Sequence, residues 1–139
     1  LELRFIELMP IGEAVKMYKG CSISSEEVIK MCKGLIPVKA DISSTARVYK
    51  IRNAKGTVGF ISPISNKFCQ YCNRIRLTSV GSIKPCLHSK HEIDIRQYIG
   101  NEVKLKAAIK DSIFNKPLEH HLDIDNQSES GKMMYQIGG

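Results

Sequence analysis

Tryptophan is absent from this 139-residue sequence, and aromatic residues make up only 6% of it. With four Phe and five Tyr, a base-stacking platform for single-stranded nucleic acid has little material. No apolar run approaches the roughly 20 residues that a bilayer crossing needs. The start, Leu1-Glu2-Leu3-Arg4, has neither a basic n-region nor an initiator Met; no secretory leader is expected, and the opening reads as a cut into a longer protein. The cysteines are odd in number: Cys21, Cys32, Cys69, Cys72 and Cys86. Without a secretion signal this argues against a disulfide framework and for cytoplasmic thiols that hold a metal or a cluster.

What is present is ordinary for a globular domain with one core: 42% hydrophobic and 25% charged residues. The formal charge of +7 points to an anionic partner: phosphates, an acidic surface or nucleic acid. No membrane partner is implied.

The pattern along the chain predicts an α+β fold. Leu1 to Leu8 reads as a buried strand belonging to another domain, ended by Met9-Pro10-Ile11-Gly12. Ser24 to Lys33 reads as a helix with Ser24 and Glu27 in a capping box and Gly34 as its stop; Val28, Ile29, Met31 and Cys32 form its apolar face. Ala46 to Arg52 and Thr57 to Ile61 read as a hairpin around Asn53-Ala54-Lys55-Gly56. A second hairpin is expected from Asn73–Thr78 and Ser82–Cys86 across Ser79-Val80-Gly81. Glu92 to Ile99 reads as a short helix. Asn101 caps a longer one through Phe114, with Leu105, Ala108, Ile109 and Ile113 on one face. The segment from Glu119 is polar and acidic, and the end, Met133 to Gly139, turns apolar and then doubly glycine.

The chemistry concentrates at the cysteines. Cys69-Gln70-Tyr71-Cys72 leaves two residues between thiols, a spacing that sets two sulfurs around one centre. Cys86 returns from the next strand. In that second hairpin Cys72, Arg74, Arg76 and Thr78 share one face, with Ile75 and Leu77 on the other. Gly81 supplies the left-handed turn position, Thr78 pairs with Ser82, and Cys86 falls opposite Arg74. Pro85 then requires an edge strand. Thiolates suit zinc and iron–sulfur clusters alike, and His88 could complete a closed Cys₃His zinc site with Cys69, Cys72 and Cys86. Spacing leaves cluster and zinc open. Lys84 and Lys90 are expected to add positive potential, and Cys21 and Cys32 to be free buried thiols.

The residues around the site resemble those of a known family. Gly59-Phe60-Ile61-Ser62-Pro63-Ile64-Ser65, Phe68-Cys69, Cys72-Asn73-Arg74, Arg76-Leu77-Thr78, Gly81 and Pro85-Cys86-Leu87 are similar to the C-terminal signature of the radical-SAM GTP 3′,8-cyclase family of molybdenum cofactor synthesis. Leu3-Arg4-Phe5-Ile6-Glu7-Leu8-Met9-Pro10 resembles its late barrel strand. Lys116-Pro117, His120-His121 and Ile137-Gly138-Gly139 resemble its tail. The resemblance implies antiparallel hairpins with flanking helices, a C-terminal lobe attached to the last part of an incomplete (βα) barrel. Residues 1–20 would end the barrel, 21–118 form the lobe, and 119–139 form the tail.

It implies that Cys69, Cys72 and Cys86 hold the second, substrate-side 4Fe–4S cluster, whose open iron meets the guanine of GTP. Arg74, Arg76 and Arg4 would hold GTP, and Gly138 and Gly139 would reach the active site. The first 4Fe–4S cluster and S-adenosylmethionine would belong to a preceding barrel, whose C-x₃-C-x₂-C motif this chain lacks. The implied reaction is radical conversion of GTP to 3′,8-cyclo-7,8-dihydro-GTP, a carbon–carbon lyase activity of the full-length protein that the isolated chain would not show. No catalytic residue is assigned within this part, and a homodimer is compatible with it. Two other function classes stand beside this one: a structural zinc module, and a basic nucleic-acid binder whose cysteines are incidental. His120 and His121 carry no assigned role.

Overall fold

A computed structural model of the chain describes residues 1–122 and 128–137. They form two compact units, one of residues 1–9 with 16–72 and one of residues 10–15 with 73–139.

In the first unit, β1 (Glu2–Ile6) is followed by α1 (Ala14–Cys21), which starts in the short segment assigned to the other unit, then α2 (Ser25–Met31), β2 (Leu35–Val38), β3 (Ala46–Ile51) and β4 (Thr57–Ile61). The strands make one sheet in the order β1-β4-β3-β2. The expected hairpin is there: β3 and β4 run antiparallel with Ala46 opposite Ile61, and Asn53 takes the left-handed position at φ 65°, which its short polar side chain tolerates. The α2 capping box is also as expected, with Ser24 Oγ accepting from Glu27 N–H and Glu27 accepting from Ser24 N–H. Gly34, at φ 86°, lies just past the helix end.

Two expectations fail in this unit. β1 does not stand apart from this chain's strands: it pairs parallel to β4, Phe5 opposite Phe60. Nor is it buried, because it is the edge strand of the sheet and Leu3, Phe5 and Ile6 are 53%, 39% and 59% exposed. Met31 and Cys32 likewise face solvent at the end of α2, leaving Val28 and Ile29 half-buried. The core gathers instead on Phe60, fully buried, with Phe5 stacked on it at 5.4 Å and Tyr49 edge-on at 5.5 Å. Such ring pairs add about 0.5–1.5 kcal/mol each beyond area burial.

Glu7, directly after β1, is buried. Its carboxylate accepts from the Ser25 N–H (2.8 Å) at the start of α2, from the N–H groups of Ile64 (3.2 Å) and Ser65 (3.0 Å), and from the Ser65 hydroxyl. Burial raises its pKa, but these four donors outweigh it and hold the carboxyl below its ordinary 4.5. Because the folded value is depressed, the stability Glu7 contributes is complete above roughly pH 4.5 and is lost as pH falls through the lower folded value. Glu7→Gln keeps the shape but turns one acceptor into a donor facing donors. It should cost about 1–3 kcal/mol at pH 7 and flatten the acid limb of a urea-melt series between pH 7 and 3. An unchanged midpoint would mean that the carboxylate does not tie β1 to α2 and the 64–65 turn.

The second unit has a three-stranded antiparallel sheet, β5 (Arg76–Leu77), β6 (Ser82–Lys84) and β7 (Ile93–Asp94), and a helix, α3 (Glu102–Phe114). Asn101 caps α3 by accepting from Lys104 N–H. Leu105, Ala108 and Ile109 are half-buried and Ser112 is buried, whereas Ile113 is half exposed. The expected helix at Glu92–Ile99 is instead β7 followed by a 3₁₀ turn, Arg96–Tyr98. The turn of the second hairpin is as expected: Thr78 N–H donates to Ser82 C=O at 2.9 Å, and Gly81 is at φ 79°. A Cβ at Gly81 would sit 2.5 Å from the Arg96 side chain, so only glycine fits. The ladder, however, stops at Arg76–Lys84. β6 is central rather than an edge, and Pro85 is tolerated because it lies one residue beyond the ladder.

Candidate functional site

Each unit contributes part of the cysteine set. In the first, the turn after Phe68 is a single 3₁₀ turn, Cys69–Tyr71, closed by Cys72 N–H donating to Cys69 C=O at 3.0 Å. With three residues per turn, positions i and i+3 eclipse, so this local geometry brings Cys72 back over Cys69. Both are half-buried. The path into this turn is fixed by the Glu7 carboxylate, which grips Ile64 and Ser65.

In the second unit Cys86 follows β6 and buried Pro85, and is half-buried. It borders a small cavity of about 70 Å³ with His88, His120 and Leu122. His88 is 7% exposed, and its ring meets that of His120 edge-on at 4.8 Å. Burial, then His120, Arg76 and Lys84 as neighbouring positive charges, push the His88 pKa down to about 3. The imidazole is therefore neutral at physiological pH, and its Nδ1 has no hydrogen-bond partner. Arg76 is half-buried on β5 and Arg74 is exposed just before it. Lys116 Nζ donates to the Arg74 carbonyl at 2.7 Å, which ties the chain just past α3 to the segment leading into β5.

Cys69 and Cys72 start and close one turn of the first unit. Cys86, Arg74 and Arg76 lie in the other unit, where Arg76 is close enough to His88 to act on it electrostatically. Arg4, on the edge strand β1, is exposed and pairs with Glu2 at 2.5 Å. Gly138 and Gly139 lie outside the described residues. Among the described residues no group of three or more His, Cys, Asp or Glu stands ready to hold a metal ion. The donor types are those that suit a cluster: two cysteines on one turn of the first unit and a third, half-buried cysteine in the second.

Lys84 corrects its sequence reading. It is fully buried, so it adds no diffuse surface potential. Its ammonium donates to the Ser89 carbonyl and to Ser130 Oγ at 3.0 Å, and lies 3.5 Å from Glu92. Lys132 holds the same Glu92 carboxylate at 2.8 Å through both oxygens. Cys21 and Cys32 are exposed thiols, not buried ones. Sequence reasoning missed Glu7, although a single carboxylate inside the apolar run Leu3, Phe5, Ile6, Leu8 was a legible signal. It also missed the His88–His120 pair, for which nothing in the spacing gives a sign.

The chain is thus α+β with antiparallel-rich sheets, a C-x-x-C turn in one unit and a third cysteine in the other. The chain belongs to the Molybdenum Cofactor Synthesis C family, which matches residues 1–122. Relatives named GTP 3′,8-cyclase are similar over the whole chain: 55% identical in Clostridium botulinum strain Hall, 52% in Clostridium acetobutylicum and 48% in Alkaliphilus metalliredigens. In each case the chain spans 44% of the relative's length.

Proposed function

We propose that this chain is the substrate-side part of a GTP 3′,8-cyclase in molybdenum cofactor synthesis, holding GTP and the second 4Fe–4S cluster. The observation that carries this reading is the likeness of the entire chain to relatives named for that reaction. In it, Cys69, Cys72 and Cys86 hold the cluster, which when bound supplies an iron without a protein ligand as a Lewis acid for the guanine base. Arg74 and Arg76 bind the triphosphate through planar forks that match phosphate oxygens, and Arg4 adds a further contact from β1.

The preceding part of the protein is proposed to be the radical-SAM barrel, with its own 4Fe–4S cluster and S-adenosylmethionine. Residues 1–20 end that barrel, 21–118 make the lobe, and 119–139 are a tail whose Gly138 and Gly139 reach the active site. The apolar, exposed edge strand β1 supports this, because Leu3, Phe5 and Ile6 on an unpaired sheet edge call for a neighbouring strand. Among the described residues no helix is long and apolar enough to cross a membrane, and a cytoplasmic enzyme is the proposed setting. The isolated chain is expected not to cleave S-adenosylmethionine. The second reading, a Cys₃His zinc module, is favoured by one observation: the unpartnered Nδ1 of His88 next to Cys86.

The test is a GTP titration on anaerobically cluster-loaded protein. A charge-assisted hydrogen bond contributes roughly 1.5–3 kcal/mol, so Arg74→Ala or Arg76→Ala should weaken GTP on the order of ten- to a hundredfold. Arg→Lys should recover only part of this, since the ammonium lacks the fork. Iron content should not change in any of the four variants. Equal affinity in both alanine variants would withdraw these arginines from the nucleotide site.

A further inference from the structure

A second concavity lies wholly within the first unit. β2 ends at Val38, whose partner on β3 is Val48, so Ala46 and Arg47 of β3 have no β2 residue beside them. The chain from 39 to 45 swings away there, and a groove of about 390 Å³ opens between that loop, the sheet and the segment 66–71. The size falls in the range of small-molecule sites, about 300–1,000 Å³. Tyr49, Phe60, Phe68 and Tyr71 contribute aromatic walls.

Two polar groups line this groove without partners. Arg47 Nε and Nη2 are both buried and neither has a hydrogen-bond acceptor. Ser62, 3% exposed just past the end of β4, has a buried Oγ that is also unpaired. Buried polar groups in folded proteins are nearly always satisfied, and a guanidinium least of all tolerates being left alone. Nε and Nη2 are the two donors on one edge of the guanidinium, the edge that grips a carboxylate or phosphate through two parallel hydrogen bonds. The acidic group nearest at hand does not supply them: Asp41 lines the groove, but its Oδ1 is taken by Ser43 N–H (2.7 Å) and Ser43 Oγ (2.6 Å). Lys67 also lines the groove, so its charge balance is positive.

We propose that this groove is a binding site for an oxyanion-bearing small molecule with a planar body, its carboxylate or phosphate held by the Arg47 Nε–Nη2 edge and Ser62 Oγ, its body against the aromatic walls. Neither the cysteines nor Arg74 and Arg76 line it, although Phe68, Gln70 and Tyr71 around Cys69 do.

The probes are phenyl phosphate and benzoate, which share a ring and differ in the oxyanion. Each is titrated into the full iron-free chain at low ionic strength while the Arg47 Nε–H resonance is followed by NMR. Saturable movement of that resonance by one probe is expected, and which probe moves it assigns the oxyanion as phosphoryl or carboxylate. Read in every variant from the backbone amide resonances of Val48 and Tyr49, which line the groove, Arg47→Gln should weaken binding by about ten- to a hundredfold, and Ser62→Ala by about three- to tenfold. No movement with either probe at millimolar concentration overturns the proposal. So does equal affinity in Arg47→Gln, or, if that variant does not fold, equal affinity in Ser62→Ala. Because no iron is present, a failure here leaves the cluster reading untouched, and a failed reconstitution leaves this one untouched.

Discussion

Anaerobic reconstitution of the chain should give close to four irons and four sulfides, and changing any one of Cys69, Cys72 or Cys86 to Ser should abolish the cluster. A serine hydroxyl is a hard, weakly acidic ligand where a soft thiolate is required. Cys21→Ser and Cys32→Ser should leave the iron count and the absorption spectrum as they are, since both thiols are exposed and apart from the 3₁₀ turn that sets Cys69 under Cys72. His88→Ala separates the two candidate centres. A cluster held by three cysteines survives it, while a Cys₃His zinc site loses its fourth ligand and its metal. A single tightly held zinc per chain, released by His88→Ala, would replace the cluster reading with the zinc one. The count is made by iron and sulfide assay and by metal analysis on the same samples, so either outcome is read directly.

Lys84→Ala should be the most destabilising of the single changes considered. The wild-type ammonium is fully buried and satisfied by the Ser89 carbonyl, Ser130 Oγ and Glu92. Truncation takes this donor from the Ser89 carbonyl and Ser130 Oγ, leaves Glu92 with Lys132 alone, and opens space where the four-carbon stem packed. Breaking a buried charge arrangement by removing one partner costs roughly 3–5 kcal/mol. Lys84→Met separates the two contributions, because it restores the volume but not the donors. It should cost less, about 1–3 kcal/mol, since Lys132 still neutralises Glu92 from a more exposed position. Urea unfolding at pH 7 measures both. A loss below about 1 kcal/mol in Lys84→Ala would place Lys84 among ordinary surface lysines.

The elements legible in the sequence are those whose determinants are local. Ser24 and Glu27 cap α2, Asn101 caps α3, Asn53 turns the first hairpin and Gly81 the second, and each acts within three or four residues of chain. The C-x-x-C pair belongs to the same class, since a turn of two intervening residues suffices to bring Cys72 back to Cys69. The family, too, was legible, because the order and spacing of short motifs survive in the chain without any knowledge of packing.

Tertiary structure alone decided the rest, and the reason is that burial and pairing depend on residues distant in sequence. Leu3, Phe5 and Ile6 look like core, yet β1 lies at the edge of its sheet and exposes them. Lys84 looks like surface, yet Ser89, Glu92 and Ser130 converge on it and let it be buried. β5 has the register expected from its hairpin but only two ladder residues, because pairing also needs neighbours to hold the strand flat beyond Arg76. Arg47 sits among apolar strand residues with no mark of its own. Only the early end of β2 and the outward swing of the 39–45 loop leave its guanidinium edge buried in a groove with nothing to bind.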